Sequence, residues 1–124
     1  MRSKYRSKKV TRNGITYDSK KECQRHAELL LLERAGAISE LQRQVKFELV
    51  PAQYEPVPRY SDKTGKRLKD GKRCVEQSVT YYADFVYRKN GELVVEDTKG
   101  MRTEKYIIKR KLMLYFHGIK IKEV

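Results

Sequence analysis

The sequence predicts an α/β domain, a mixed sheet flanked by helices in the order αβββαβ. Three observations predict it. Two segments, near residues 19–35 and 103–117, carry apolar residues at helical spacing between capping signals. Runs of alternating or β-branched and aromatic residues lie between them, at 41–50, 78–88 and 92–98. An Asn90-Gly91 dipeptide joins the last two runs, a strong sign of a tight antiparallel hairpin. A chain of 124 residues suits one such layered core.

Residues 1–12 hold six Lys or Arg around Tyr5 and almost nothing apolar. They read as a flexible basic arm, with a solubilising tail as the plainer alternative. Ser19 and Glu22 have the spacing of a capping box, which starts the first helix. Ala27 and Leu29 to Leu32 supply its apolar face, and Gly36 stands where a left-handed C-cap is expected. Leu41, Val45, Phe47 and Leu49 alternate as a strand that Pro51 ends. Residues 52–77 change character: prolines, Gly65 and Gly71 accompany seven Lys or Arg between Arg59 and Arg73. This stretch reads as a long basic loop or a hairpin inserted into the domain.

SVTYYADFVYR and ELVVEDT form the two arms of the Asn90-Gly91 hairpin. Thr103 caps a second helix whose core side is expected from Ile107, Ile108, Leu112, Leu114, Tyr115 and Phe116, and Gly118 ends it. Ile119 and Ile121 then alternate with lysines as a closing strand.

The charge bounds the function. Twenty-nine Lys and Arg against sixteen Asp and Glu leave a formal net charge of +13, more than solubility requires. A small domain this cationic meets a polyanion, because counterion release drives the association. Nucleic acid is the first candidate and an anionic membrane surface the second. No apolar run approaches the roughly 20 residues that span a bilayer, and the basic N-terminus lacks the apolar stretch of a secretory signal. A cytoplasmic location without membrane insertion is therefore expected. Cys23 and Cys74 are too few for a disulfide framework and belong to no zinc-ligand cluster.

The hairpin carries the sharpest expectation. With Asn90-Gly91 as the turn, facing residues sum to 181, so Asp84 faces Asp97, Val86 faces Val95 and Tyr82 faces Lys99. The period of two puts all six on one face, with facing Cβ atoms about 5 Å apart. Two carboxylates so placed repel, and a divalent cation between them would make sense of the arrangement. Lys99 would stand beside it as a positive point charge for phosphate or an attacking water. The plainer reading is a solvated Asp97–Lys99 ion pair with Asp84 protecting a sheet edge.

Asp84 followed by Asp97-Thr98-Lys99 on the next strand resembles the PD-(D/E)XK nucleases, whose restriction-endonuclease-like core has the order αβββαβ. In particular the chain is similar to small phage- and prophage-encoded nucleases, over Tyr17–Pro51 and Tyr82–Val124. Ala83 stands where the motif's proline would be. The resemblance implies a Mg²⁺- or Mn²⁺-dependent DNA endonuclease acting on branched recombination intermediates such as Holliday junctions, in the bacterial host cytoplasm if phage-encoded. It implies Asp84, Asp97, the backbone carbonyl of Thr98 and Glu22 as metal ligands, with Lys99 catalytic. Glu22 keeps its second reading as the N3 residue of the Ser19 capping box. Glu96 points to the face opposite Asp97 and is the weaker candidate.

On the second helix Lys105 and Lys109 share a face. With Thr103 they would hold phosphates near the cut; a merely solvated lysine stripe is the alternative. Gln44 is a further candidate to point toward the site. Arg6, Lys8 and Lys9 of the arm, with Arg59, Lys66 and Arg67 of the insertion, would track the DNA backbone without base readout. Cutting a junction symmetrically would need a two-fold homodimer. His26 is expected to pack rather than to react with Cys23, since no third group orients such a pair. The rival from another class is a non-catalytic basic nucleic-acid-binding protein, which explains the charge but not the facing acids; a nonspecific or sequence-specific nuclease is a rival within enzymes.

Overall fold

The computed structural model describes residues 8–99 and 101–124, so Arg6 lies outside the described residues. The elements are β1 (Val10–Arg12), β2 (Ile15–Tyr17), α1 (Lys20–Arg34), β3 (Ser39–Val50), β4 (Gln53–Tyr60), β5 (Arg67–Glu76), β6 (Val79–Lys89), β7 (Glu92–Asp97), α2 (Glu104–His117) and β8 (Lys122–Glu123). The expected αβββαβ order is present as α1, β3, β6, β7, α2 and β8. The central sheet runs β3-β6-β7-β8, with β8 parallel to β7 and the other pairs antiparallel.

Two hairpins flank that core. Val10–Arg12 is a strand rather than part of a flexible arm; it pairs with β2 across Asn13-Gly14, both residues with positive φ. This is the same turn chemistry as Asn90-Gly91. The basic insertion is a hairpin rather than a loop, β4 against β5 in a two-stranded sheet of its own.

The β6–β7 register follows the turn. Phe85 pairs with Glu96, Val86 with Val95 and Lys89 with Glu92, each summing to 181. Alternation then divides β7. Val95 joins a cluster with Tyr106 and Met113 of α2, while Val94 packs with Leu29 of α1, Phe85 and Tyr87. Leu29 and Met113 are both 0% exposed; burying a side chain of this size stabilises by about 1.5–3 kcal/mol.

The helices bury less than their composition predicts. Leu30, Leu31 and Leu32 are exposed, as are Ile108, Leu114, Tyr115 and Phe116. Four consecutive leucines spread over the whole helix circumference, and one sheet contacts only a single stripe of it. Both cap hydroxyls bond the helix as expected, without the reciprocal half of the Ser19 box: Ser19 Oγ accepts the Glu22 amide at 3.1 Å, and Thr103 Oγ1 accepts the Tyr106 amide at 3.1 Å.

Candidate active site

Beyond the Phe85–Glu96 pair, β6 and β7 part at the base of α2 and open a cleft. Asp84 and Asp97 line it together with Asp18, Gln44, Tyr81 and Tyr82. Lys99, Lys105 and Lys109 line it from the other side, with Thr103 and Tyr106 at the start of α2. The structure thus brings Asp84, Asp97, Lys99, Thr103, Lys105 and Lys109 into one place. Lys8, Lys9, Arg59, Lys66 and Arg67 do not line it; they are exposed elsewhere, and Arg67 is paired with Asp70 at 2.7 Å.

Each aspartate is held differently. Asp84 Oδ2 accepts the Thr98 amide at 2.9 Å and the Thr98 hydroxyl at 2.8 Å. Its Oδ1 accepts Gln44 Nε2 at 3.1 Å. The contacts found for Thr98 are through its amide and hydroxyl, toward Asp84. Asp97 is 2% exposed, and its Oδ2 accepts the Tyr81 hydroxyl. Its Oδ1 is buried as well. The Lys99 ammonium stands 2.8 Å from it as its ion-pair partner. Lys99 also lies over the Tyr106 ring, 4.2 Å from its centroid, a contact that steadies the cation.

Burial and the neighbouring Asp84 charge push the Asp97 carboxyl up to about 6, against the opposing pull of Lys99 and Tyr81. Burial also raises the Tyr81 and Tyr106 hydroxyls, which donate to carboxylates. Two carboxylates that repel each other, one of them buried with a single ammonium beside its Oδ1, offer hard oxygens of the kind a dication takes. The residues present therefore fit a divalent metal. Among the described residues, no group of three or more His, Cys, Asp and Glu side chains is assembled as a ligand set.

Glu22 stands behind this cleft, 2% exposed. Its amide donates to the Ser19 cap, but its carboxylate does not complete the capping box. Oε1 instead accepts Arg43 Nη2 at 3.3 Å and Gln44 Nε2 at 3.2 Å. Burial, then Asp84 and Asp18, raise its pKa, opposed by these two donors.

Gln44 has φ +50 in the middle of β3. A non-glycine residue held there costs on the order of 1–3 kcal/mol. Arg43–Phe85 and Val45–Ala83 flank it in one register, while the rung between Gln44 and Asp84 is missing.

Sequence reasoning missed Tyr81, Tyr106, Asp18 and Arg43. Alternation from Asp84 assigns Tyr81 to the other face; the alternation breaks at the missing Gln44–Asp84 rung, and the Tyr81 hydroxyl reaches Asp97. Glu96 does point away from Asp97, as expected. It is 0% exposed and takes a bidentate contact from Arg25, Nε to Oε1 at 2.8 Å and Nη2 to Oε2 at 2.7 Å. Tyr87 donates to it as well. His26 packs, as expected: its ring stacks on Phe85 and its Nδ1 lies 2.5 Å from the Tyr17 hydroxyl.

A family described as "Protein of unknown function (DUF1064)" matches residues 2–123. The chain belongs to the DUF1064 family. That match includes the cleft, both helices and the β4–β5 hairpin of this DUF1064 protein. No curated protein and no solved structure matches it.

Proposed function

We propose that this DUF1064 protein is a Mg²⁺- or Mn²⁺-dependent endonuclease of the PD-(D/E)XK type that hydrolyses phosphodiester bonds in DNA, with branched recombination intermediates as its substrate. The observation that carries the reading is the convergence of Asp84, Asp97 and Lys99 in one cleft, in the motif's order. Asp84 and Asp97 would hold the metal, with the Thr98 carbonyl as a further ligand. A bound dication would lower the pKa of water and neutralise charge building on the phosphate.

The chain's own residues do the rest. Lys99, steadied by Tyr106 and Asp97, places a positive charge beside the reacting phosphate. Lys105 and Lys109 hold phosphates along the α2 side of the cleft, near the positive end of the helix dipole at Thr103. Lys8, Lys9 and the β4–β5 hairpin, through Arg59, Lys66 and Arg67, track the backbone by charge. A homodimer would give a junction two symmetric cuts.

The test is to incubate the protein with a labelled four-way junction, a linear duplex and a single strand, with Mg²⁺ or with chelator, alongside Asp84→Asn and Lys99→Ala. Metal-dependent cutting of the junction by the wild type, lost in both variants, is the expected result. Cutting of every duplex alike would replace the junction preference with a nonspecific nuclease. Equal binding by all forms without cutting would make the protein a DNA-binding module and end the nuclease reading.

A further inference from the structure

We propose that Gln44 is the positioning residue of this site: its carboxamide ties Glu22 to Asp84 and sets the orientation in which Asp84 meets a divalent cation. The inference rests on the nuclease reading above.

Three observations carry it. Neighbouring residues of a regular strand point to opposite faces, yet Arg43 and Gln44 both reach the same oxygen, Glu22 Oε1. The left-handed backbone at Gln44 and the missing rung to Asp84 are what allow this. Further, the two N–H bonds of Nε2 suffice for one acceptor on each carboxylate, Glu22 Oε1 at 3.2 Å and Asp84 Oδ1 at 3.1 Å. Lastly, Thr98 pins only Oδ2 of Asp84. Gln44 restrains the other oxygen, and without it the carboxylate can turn about its Cβ–Cγ bond.

Glu22 therefore acts on the site through Gln44, as an anchor for the carboxamide. This accounts for an acid buried at the start of α1 whose side chain leaves the helix cap unused. It also accounts for a conformation that a glycine would adopt without steric strain: the position keeps the residue whose side chain bridges two acids.

The test compares wild type with Gln44→Gly and Gln44→Asn, by calorimetric titration with Mn²⁺, by thermal melting without metal, and by cleavage rate. Glycine and asparagine both accept the left-handed backbone. Neither spans the two carboxylates, since glycine has no side chain and asparagine is one methylene short. Both variants should remain folded at the assay temperature, bind Mn²⁺ about 10–100-fold more weakly and cut correspondingly more slowly, the usual loss when the support of a metal ligand is removed. Wild-type Mn²⁺ affinity in Gln44→Gly would overturn the positioning role alone, as would a fall in melting midpoint that accounts for the weakened binding. A wild-type protein that takes up no Mn²⁺ would overturn the nuclease reading, and this role with it.

Discussion

Glu96 and Asp97 are adjacent on β7, both buried, and they live in opposite surroundings. On the α1 face Glu96 has a bidentate Arg25 and the Tyr87 hydroxyl. Burial alone would raise its pKa, but these partners outweigh it and hold the carboxyl below its ordinary value. On the cleft face Asp97 has one hydroxyl, one lysine ammonium and a repelling aspartate, and burial outweighs the first two and pushes it up to about 6. One carboxylate is saturated by the protein. The other shares its one lysine with a repelling neighbour. The difference separates a carboxyl whose charged form the fold favours from one whose charged form the fold disfavours, the pattern that marks a candidate functional group.

The largest effect should come from unbalancing the saturated face. Arg25→Ala leaves Glu96 buried without its counter-charge and should destabilise by about 3–5 kcal/mol in denaturant unfolding. Glu96→Gln added to it should restore part of that loss. A single variant within about 1 kcal/mol of wild type would mean that Glu96 is not the structural carboxylate described above.

The opposite sign is expected one residue later. The folded protein binds the Asp97 proton more tightly than the unfolded chain does. The stability tied to that proton is fully present below the ordinary aspartate value of 3.8 and is lost as pH rises through about 6. By linkage the loss is on the order of 1–3 kcal/mol. Asp97→Asn should therefore stabilise the metal-free protein near neutral pH, flatten its melting profile between those two values, and abolish cutting. If this variant melts lower than wild type at neutral pH, the contrast between the two acids is lost.

The smallest effect should follow Tyr81→Phe. Removing the hydroxyl takes away the donor to Asp97 Oδ2, costs about 1 kcal/mol, and moves the Asp97 titration above about 6. A carbon-detected NMR titration of the Asp97 carboxyl reads this directly; an unmoved midpoint would rule out the hydroxyl as its support.

Much of this contrast was legible in the sequence. A two-residue turn and a period of two suffice to put Glu96 and Asp97 on opposite faces and Asp84 with Asp97. The same reasoning at Asn13-Gly14 would have found the β1–β2 hairpin. It could not find Tyr81, because alternation along β6 breaks at Asp84, where the rung to Gln44 is missing and Ala83 and Val86 share one cluster. Nor could it say which leucines of α1 are buried, since an all-apolar run matches every helix rotation equally well.

By itself, then, the sequence determined what short-range geometry governs: the caps at Ser19 and Thr103, the turn at Asn90-Gly91, the register it imposes, and the pairing of two acids. Tertiary structure alone decided what those acids meet. Arg25 reaches Glu96 across 71 residues, and Gln44 reaches Asp84 across 40. Such partners are chosen by which layers pack together and where β3 kinks, and neither turn chemistry nor periodicity extends that far along a chain.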